Sequence, residues 1–396
     1  MGTLQYWTEE LLDFSFAGHV SPDPETLLAC IQCGSCTASC PTANRMTLSP
    51  QQLMRLIRLG MREEAVASQA YWRCTSCSAC STSCPRGVAI LDTIIGLKTY
   101  ALAHGSVPED VELLRRTLEI THNVSGDANE ERMAWAANVP QPLGDIVGRR
   151  GADVAYFVGC VASLYPRAFS IPQAFARTLG RGGVSIATLG GDEWCCGYPL
   201  YNAGLKNEMA YLVEHNLKAL AELGASILVT ACPSCYYTWK TIYPTVAKLP
   251  PGLTIMHSTH LLAELLADGR IAPRPMQRVV TYHDPCDLGR KAGEYEAPRA
   301  IIAALPGVEL REMANVRANA LCCGGGGDVK IFSYDTTIEV ARRRAQQAVD
   351  VGADTVVSAC QQCKRALLGA VQSMRQPTRV LDLAELVWET LREPVE

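Results

Sequence analysis

The sequence has no surplus of positive charge, no long apolar run and no cysteine outside a cluster, and each absence removes a class of function. Its 36 Lys and Arg stand against 40 Asp and Glu, and the net charge of −4 gives no general attraction to nucleic acid or to an anionic membrane. No window approaches 18 uninterrupted apolar residues, so no membrane-spanning helix is expected. The opening stretch MGTLQYWTEELLDF carries early acidic residues and no basic segment ahead of an apolar one, so no secretory leader is expected. A cytoplasmic location follows, with peripheral attachment at the inner face of the membrane only through a partner. The remaining composition, 48% hydrophobic and 19% charged over 396 residues, is globular and sufficient for two or three domains.

What the chain does have is 18 cysteines. A large chain without an export signal keeps its thiols reduced, and reduced thiols in regular spacings bind metal. Cys30, Cys33, Cys36 and Cys40, followed by Pro41, form C-x2-C-x2-C-x3-C-P; Cys74, Cys77, Cys80 and Cys84, followed by Pro85, form it again. Two such runs mark a two-cluster ferredoxin, in which the fourth cysteine of each run ligates the other cluster. Cys30, Cys33, Cys36 and Cys84 are therefore expected on one cubane [4Fe–4S] cluster, and Cys74, Cys77, Cys80 and Cys40 on the second. Zinc, the alternative, has no use for a third cysteine at this spacing. Between the runs, Leu53, Ile57 and Leu59 predict the apolar face of a helix that Gly60 ends, so the domain is read as mostly helical.

The other ten cysteines form a repeat. Cys160, Cys195, Cys196, Cys232 and Cys235 are answered by Cys286, Cys322, Cys323, Cys360 and Cys363, with corresponding members 126 to 128 positions apart. Short apolar runs at 154–158, 184–188 and 226–230 recur at 279–282, 308–310 and 355–358, with helical stretches such as 205–223 and 338–351 between them. Alternating strands and helices predict a small parallel sheet in each copy. Ligands of such sheets collect at the carboxyl ends of strands, so the five cysteines of a copy are expected to converge. Five thiolates exceed the need of a cubane or a zinc ion, and adjacent cysteines suit a site in which thiolates bridge irons. Gly197 follows the first pair and Gly324 to Gly327 the second, a composition that lets backbone amides approach sulfur. A flexible loop or a phosphate-binding turn are the alternatives for the four-glycine run.

The arrangement C…CCG…C-x2-C, present twice, resembles the catalytic subunit of heterodisulfide reductase, and CIQCGSCTASCP…WRCTSCSACSTSCPRGV is similar to that enzyme's ferredoxin-like subunit. The stretch 122–136, HNVSGDANEERMAWA, resembles the family's linker, with Arg132 and Trp135 after an Asn-rich turn. The resemblance covers roughly residues 25–372. It implies a fusion of the two subunits in an α/β chain: a helical two-cluster ferredoxin-like domain at 1–104, a helical segment and linker at 105–152, and CCG modules at 153–270 and 271–396. It implies a noncubane [4Fe–4S] cluster in each module, with no flavin bound by this chain, and electrons passed from the cubane clusters to the CCG sites to reduce a disulfide. The same modules occur in iron–sulfur subunits of glycolate, lactate and glycerol-3-phosphate dehydrogenases. The alternative is therefore a non-catalytic electron-transfer subunit of such a flavin-dependent dehydrogenase, delivering electrons toward quinone. The implied partners are a flavoprotein or a membrane cytochrome or quinone-linked subunit, with a small disulfide as substrate. Two positions depart from the family pattern: Gln361 stands where proline usually follows the first cysteine of the last pair, and Asp287 where a histidine or aromatic residue is more usual.

Few other residues offer chemistry. His283, three residues before Cys286, is the candidate proton donor to a leaving thiolate, or else a hydrogen-bond donor to backbone or sulfur. Asp284 is expected to cap the turn at Pro285. Trp194, Tyr198 and Tyr236 are expected to shield the clusters, and Lys364 to be a solvated surface lysine. His257 and His260 lack metal-like context. Leu4, Trp7, Leu11 and Phe14 predict an amphipathic helix that packs on the ferredoxin domain or docks a partner.

Overall fold

In the computed structural model, which describes residues 13, 15–137 and 145–392, the β-branched runs form two four-stranded parallel sheets. The first comprises β1 (Val154–Tyr156), β2 (Ile186–Ala187), β3 (Ile227–Thr230) and β4 (Thr254–His257), in the order β2-β1-β3-β4. The second comprises β5 (Arg278–His283), β6 (Val308–Leu310), β7 (Thr355–Ser358) and β8 (Arg379–Asp382), in the matching order β6-β5-β7-β8. The registers also correspond, with Ala155 opposite Leu228 in the first sheet and Thr281 opposite Val356 in the second. The central strands β1 and β7 are buried along their whole length, and β3 and β5 along all but their first residues, because helices cover both faces. The crossovers include Ser170–Arg181 and Ala210–Leu223 in the first module, Glu296–Ala303 and Tyr334–Asp350 in the second.

The two modules share one core. Val154, Tyr156 and Val229 of the first sheet and Val280, Tyr282, Val357 and Leu381 of the second belong to the same buried cluster. It is closed by helices Ser170–Arg181 and Leu383–Leu391, whose Phe175 and Leu386 are fully buried. Burying side chains of this size contributes about 1.5–3 kcal/mol each. The last helix starts at Asp382, whose side chain accepts from the Ala384 amide while Glu385 returns a bond to the Asp382 amide.

The N-terminal part contains helices and, among the described residues, no strand. Its longest helix is Ile90–Ala103, and Pro50–Arg58 is fixed by a Ser49–Gln52 capping box with proline in the first turn. Leu53 and Ile57 face its core as expected; Met54 completes that face, and Leu59 lies exposed just past the helix end. Residues 4, 7 and 11 of the anticipated amphipathic helix, and 14 with them, lie outside the described residues. No helix among the described residues is long and apolar enough to cross a membrane.

Candidate iron–sulfur centres

The two N-terminal cysteine runs share an unusual backbone. Gln32 and Gly34 in the first, and Ser76 and Ser78 at the equivalent places in the second, all have positive φ, between +52° and +83°. Three of the four carry side chains in a region that disfavours them, and such strain clusters at functional loops. The conformation curls each loop so that its cysteines turn to one side. In the second run Cys74, Cys77 and Cys80 line a small cavity together with Cys40 of the first run, closed by Met46, Pro50 and Ile94. Burial pushes the Cys40 thiol up to about 12, with Cys74 and Cys77 as close neighbours. A fourth thiol from the other run thus completes this set. In the first run Cys36 is buried near Cys30, Cys33 is exposed, and Cys30 and Cys84 are half-buried.

Each parallel sheet ends in a five-thiol site. Cys160 follows β1, Cys195 and Cys196 follow β2, and Cys232 and Cys235 follow β3. Cys195 neighbours both Cys160 and Cys196, and Cys235 neighbours both Cys196 and Cys232, so all five meet. In the second module Cys322, Cys323, Cys363 and Cys360 are linked in the same order, with Cys286 beside Cys322. The second member of each adjacent pair is special. Neighbouring Cys195 and Cys235 push the Cys196 thiol down, and Cys322 and Cys363 do the same for Cys323. The thiolate is the metal-binding form. Backbone amides also point at sulfur: Gly197 to Cys195 (3.5 Å), Gly324 to Cys322 (3.2 Å) and Gly325 to Cys323 (3.4 Å). Buried thiols in sets of four and five, supplied with amide donors, fit iron–sulfur clusters.

Two of the sites adjoin one another. Cys77 of the second run packs against Cys322 of the second module, with Cys286 and Val340 beside them. The four-glycine run makes that approach possible: a Cβ on Gly326 would stand 2.7 Å from the Thr75 carbonyl oxygen, and one on Gly327 would collide with that of Cys74. Gly327, at φ +65°, therefore serves a close approach between domains, a role distinct from the loop and phosphate readings of the run. A cavity of about 400 Å³ opens beside this junction, lined in part by Cys40, Cys77, Cys322 and Arg290.

Five charged residues that sequence reasoning missed, or read differently, lie in or near the ligand-bearing segments. Arg132, buried in the linker, donates to Cys160 Sγ (3.2 Å), Ser163 Oγ (3.1 Å) and Glu193 (2.9 Å). Glu193 in turn accepts from the amides of Val158 and Gly159, both at 2.8 Å. Burial raises the Glu193 carboxyl to about 7 in spite of Arg132. Asp287 is buried and accepts from Tyr198 (2.7 Å), Ser234 (2.6 Å) and Lys291 (2.8 Å); burial alone would raise it, but these donors hold it below the usual carboxylate range. Lys364 is a buried residue paired with Glu385 (2.7 Å) and Ser170, not a solvated surface group, because helix Gln361–Ser373 turns that side inward. Asp284 clamps Arg299 (2.8 and 3.0 Å) and accepts from the Arg317 amide instead of capping its own turn.

His283 lies at the end of β5, where one ring nitrogen and the sulfurs of Cys323 and Cys363 fall within 4.8 Å of one another. Arg344 Nε donates to His283 Nδ1 (3.0 Å). A guanidinium only donates, so Nδ1 accepts and the ring proton belongs on Nε2, which is buried without a protein partner. Burial and Arg344 keep this imidazole neutral, well below its ordinary pKa. Trp194 is stacked between His122 and His215, and Tyr236 is buried against His257. His257 accepts from the Thr259 amide at the start of its helix, and His260 pairs with Glu294.

Comparison with known proteins agrees with this architecture. Residues 26–88 match the 4Fe-4S dicluster domain, and residues 154–240 and 280–367 each match the cysteine-rich CCG domain. The chain is 30% identical over 390 residues to a subunit of the dihydromethanophenazine:CoB–CoM heterodisulfide reductase of Methanosarcina barkeri, covering 92% of this chain and 93% of that one. It is 25% identical over 442 residues to the EtfAB:quinone oxidoreductase of Syntrophomonas wolfei, covering 98% of this chain and 60% of that protein. Among solved structures a hypothetical protein from Helicobacter pylori shares the fold at a TM-score of 0.62 and 12% identity, over 94% of this chain and 73% of that one.

Proposed function

The chain belongs to the family of that heterodisulfide reductase component and is an iron–sulfur oxidoreductase subunit; from that premise we propose that its 18 cysteines hold two cubane and two noncubane [4Fe–4S] clusters and serve the reduction of a disulfide. Bound there, such clusters supply single electrons, of which a disulfide consumes two. The ligand sets are Cys30, Cys33, Cys36 and Cys84; Cys74, Cys77, Cys80 and Cys40; and the five cysteines of each module. The functional units are 1–104, 105–152, 153–270 and 271–396.

The observation that carries this reading is the packing of Cys77 against Cys322, which supports a succession of thiol sets from the protein surface to the paired modules. Its outer end is Cys33, exposed, with Leu28 and Ile31 exposed at 47% and 62% beside it. That apolar rim is where a flavoprotein or a quinone-linked membrane partner docks to deliver electrons on the cytoplasmic side. At the inner end, the neutral His283 ring beside Cys323 and Cys363 stabilises negative charge on sulfur. In the Cys322→Ser variant, rapid-freeze spectra after mixing with titanium(III) citrate should show the dicluster domain reduced as in wild type. Turnover of glutathione disulfide or of the CoB–CoM heterodisulfide, the substrate named for the Methanosarcina relative, should be lost. Undiminished turnover overturns the reading.

A second reading is favoured by the quinone-linked relative and by the buried side chains of Asp287 and Gln361 between the two modules. In it the chain relays electrons from a flavin-dependent dehydrogenase, of the 2-hydroxy acid or glycerol-3-phosphate type, toward quinone. It expects no turnover of either disulfide by the wild-type protein.

A further inference from the structure

The two positions that depart from the family pattern, Asp287 and Gln361, both reach out of the second module into the ligand loops of the first. Gln361 lies between Cys360 and Cys363 and is fully buried. Its Nε2 donates to the Val158 carbonyl (2.9 Å) and its Oε1 accepts from the Ala162 amide (3.2 Å), so it holds the chain on both sides of Cys160. Ala162 is in the first turn of helix Cys160–Leu164, where amides have no partner within the helix. The second module supplies that partner. Asp287, next to Cys286, is gripped by Tyr198, two residues after Cys196, and by Ser234, which lies between Cys232 and Cys235. Between them the two side chains hold all three ligand-bearing segments of the first site. Gly159 fits between the modules: a Cβ there would lie 3.2 Å from Cys235 Sγ and 3.6 Å from Gln361 Oε1.

We propose that Asp287 and Gln361 are paired positioning residues that lock the two five-cysteine sites to each other, so that each site's geometry is set in part by the opposite module. Proline at 361 offers neither the donor nor the acceptor, and would leave the Ala162 amide buried and unpaired. Asp287 ties Ser234 and Tyr198 to Lys291 through an acceptor that a neutral aromatic residue does not provide. The proposal rests on the four-cluster reading, because its effect is read at the clusters.

The test uses the anaerobically purified full chain, with the paramagnetic signals of the two modules assigned from Cys160→Ser and Cys286→Ser variants. Gln361→Leu should shift the line shape and midpoint potential of the first-module signal, although residue 361 lies among second-module ligands. Ser234→Ala, a milder change from the opposite side, should shift the second-module signal, although Ser234 lies among first-module ligands. Asp287→Asn, which keeps the shape and removes the charge, should shift both. Crossed shifts in the variants that retain iron support the lock. Signals that move only in the module carrying the substitution, or not at all, overturn it. Absence of any signal from the modules in the wild-type protein overturns the four-cluster reading itself, and the lock with it.

Discussion

Replacing Arg132 by methionine tests the structure where its charges are most deeply buried. The Arg132 and Glu193 side chains are 1% and 2% exposed and 2.9 Å apart. Methionine preserves length and apolar packing but leaves the Glu193 carboxylate with two backbone amides and no countercharge. Breaking a buried ion pair from one side costs about 3–5 kcal/mol. Because burial already raises Glu193 to about 7, the comparison is made at about pH 8, where the carboxyl must stay charged and desolvated or take up a proton. For cooperative units of about 150–250 residues, each kcal/mol lowers the midpoint by about 2–4 °C, so a fall of roughly 6–20 °C is expected. The assay is thermal unfolding of the holoprotein at a fixed scan rate, followed by tryptophan fluorescence and by loss of visible absorbance. The double variant Arg132→Met with Glu193→Gln removes the stranded charge and should recover more than half of the loss, since neighbours in one network are non-additive. A single variant within about 2 °C of wild type, or a double variant no better than the single, would refute the assigned role of this pair.

Three further outcomes are expected. Cys40→Ala should abolish the cluster signal of the Cys74, Cys77 and Cys80 set and spare that of Cys30, Cys33 and Cys36; the reverse, seen by Mössbauer spectroscopy, would contradict the exchange of fourth ligands. Gly327→Ala should loosen the dicluster domain from the second module at a cost of about 1–3 kcal/mol and slow reduction of the module sites in stopped flow, because the added methyl meets the Cys74 carbonyl. His257 is buried and held down to about 3, by desolvation first and His260 second, so it is neutral when folded and takes up a proton near pH 6.5 when unfolded. Its contribution is therefore intact above pH 6.5 and declines by up to about 1.4 kcal/mol per pH unit from there toward pH 3, a slope that His257→Asn should remove from urea unfolding curves.

Much of this architecture can be read from the spacing of cysteines, because those of the two modules follow strands whose apolar runs are themselves visible. Strands β1, β2, β3, β5, β6 and β7 fall where those runs occur, and Cys40 lines the same small cavity as Cys74, Cys77 and Cys80. β4 and β8 escape notice because they follow the last cysteine of their copy and alternate less clearly: Thr254 and Arg379 at their starts are exposed. Arg132 precedes Cys160 by 28 positions, and nothing local marks it as a sulfur donor; only the fold of the linker brings it there. Gln361 and Asp287 are visible as departures from a pattern, yet their partners lie in the other module and belong to tertiary structure. Lys364 misleads because an isolated lysine gives no sign of Glu385, 21 residues on.

The most direct test of the four-cluster reading is the metal content of anaerobically purified protein, measured together with its Mössbauer spectrum. Four clusters of four predict about 16 iron atoms per chain, with half of the iron in spectra unlike those of cubanes. About 8 iron atoms with cubane spectra alone, or zinc in the five-cysteine modules, would contradict it.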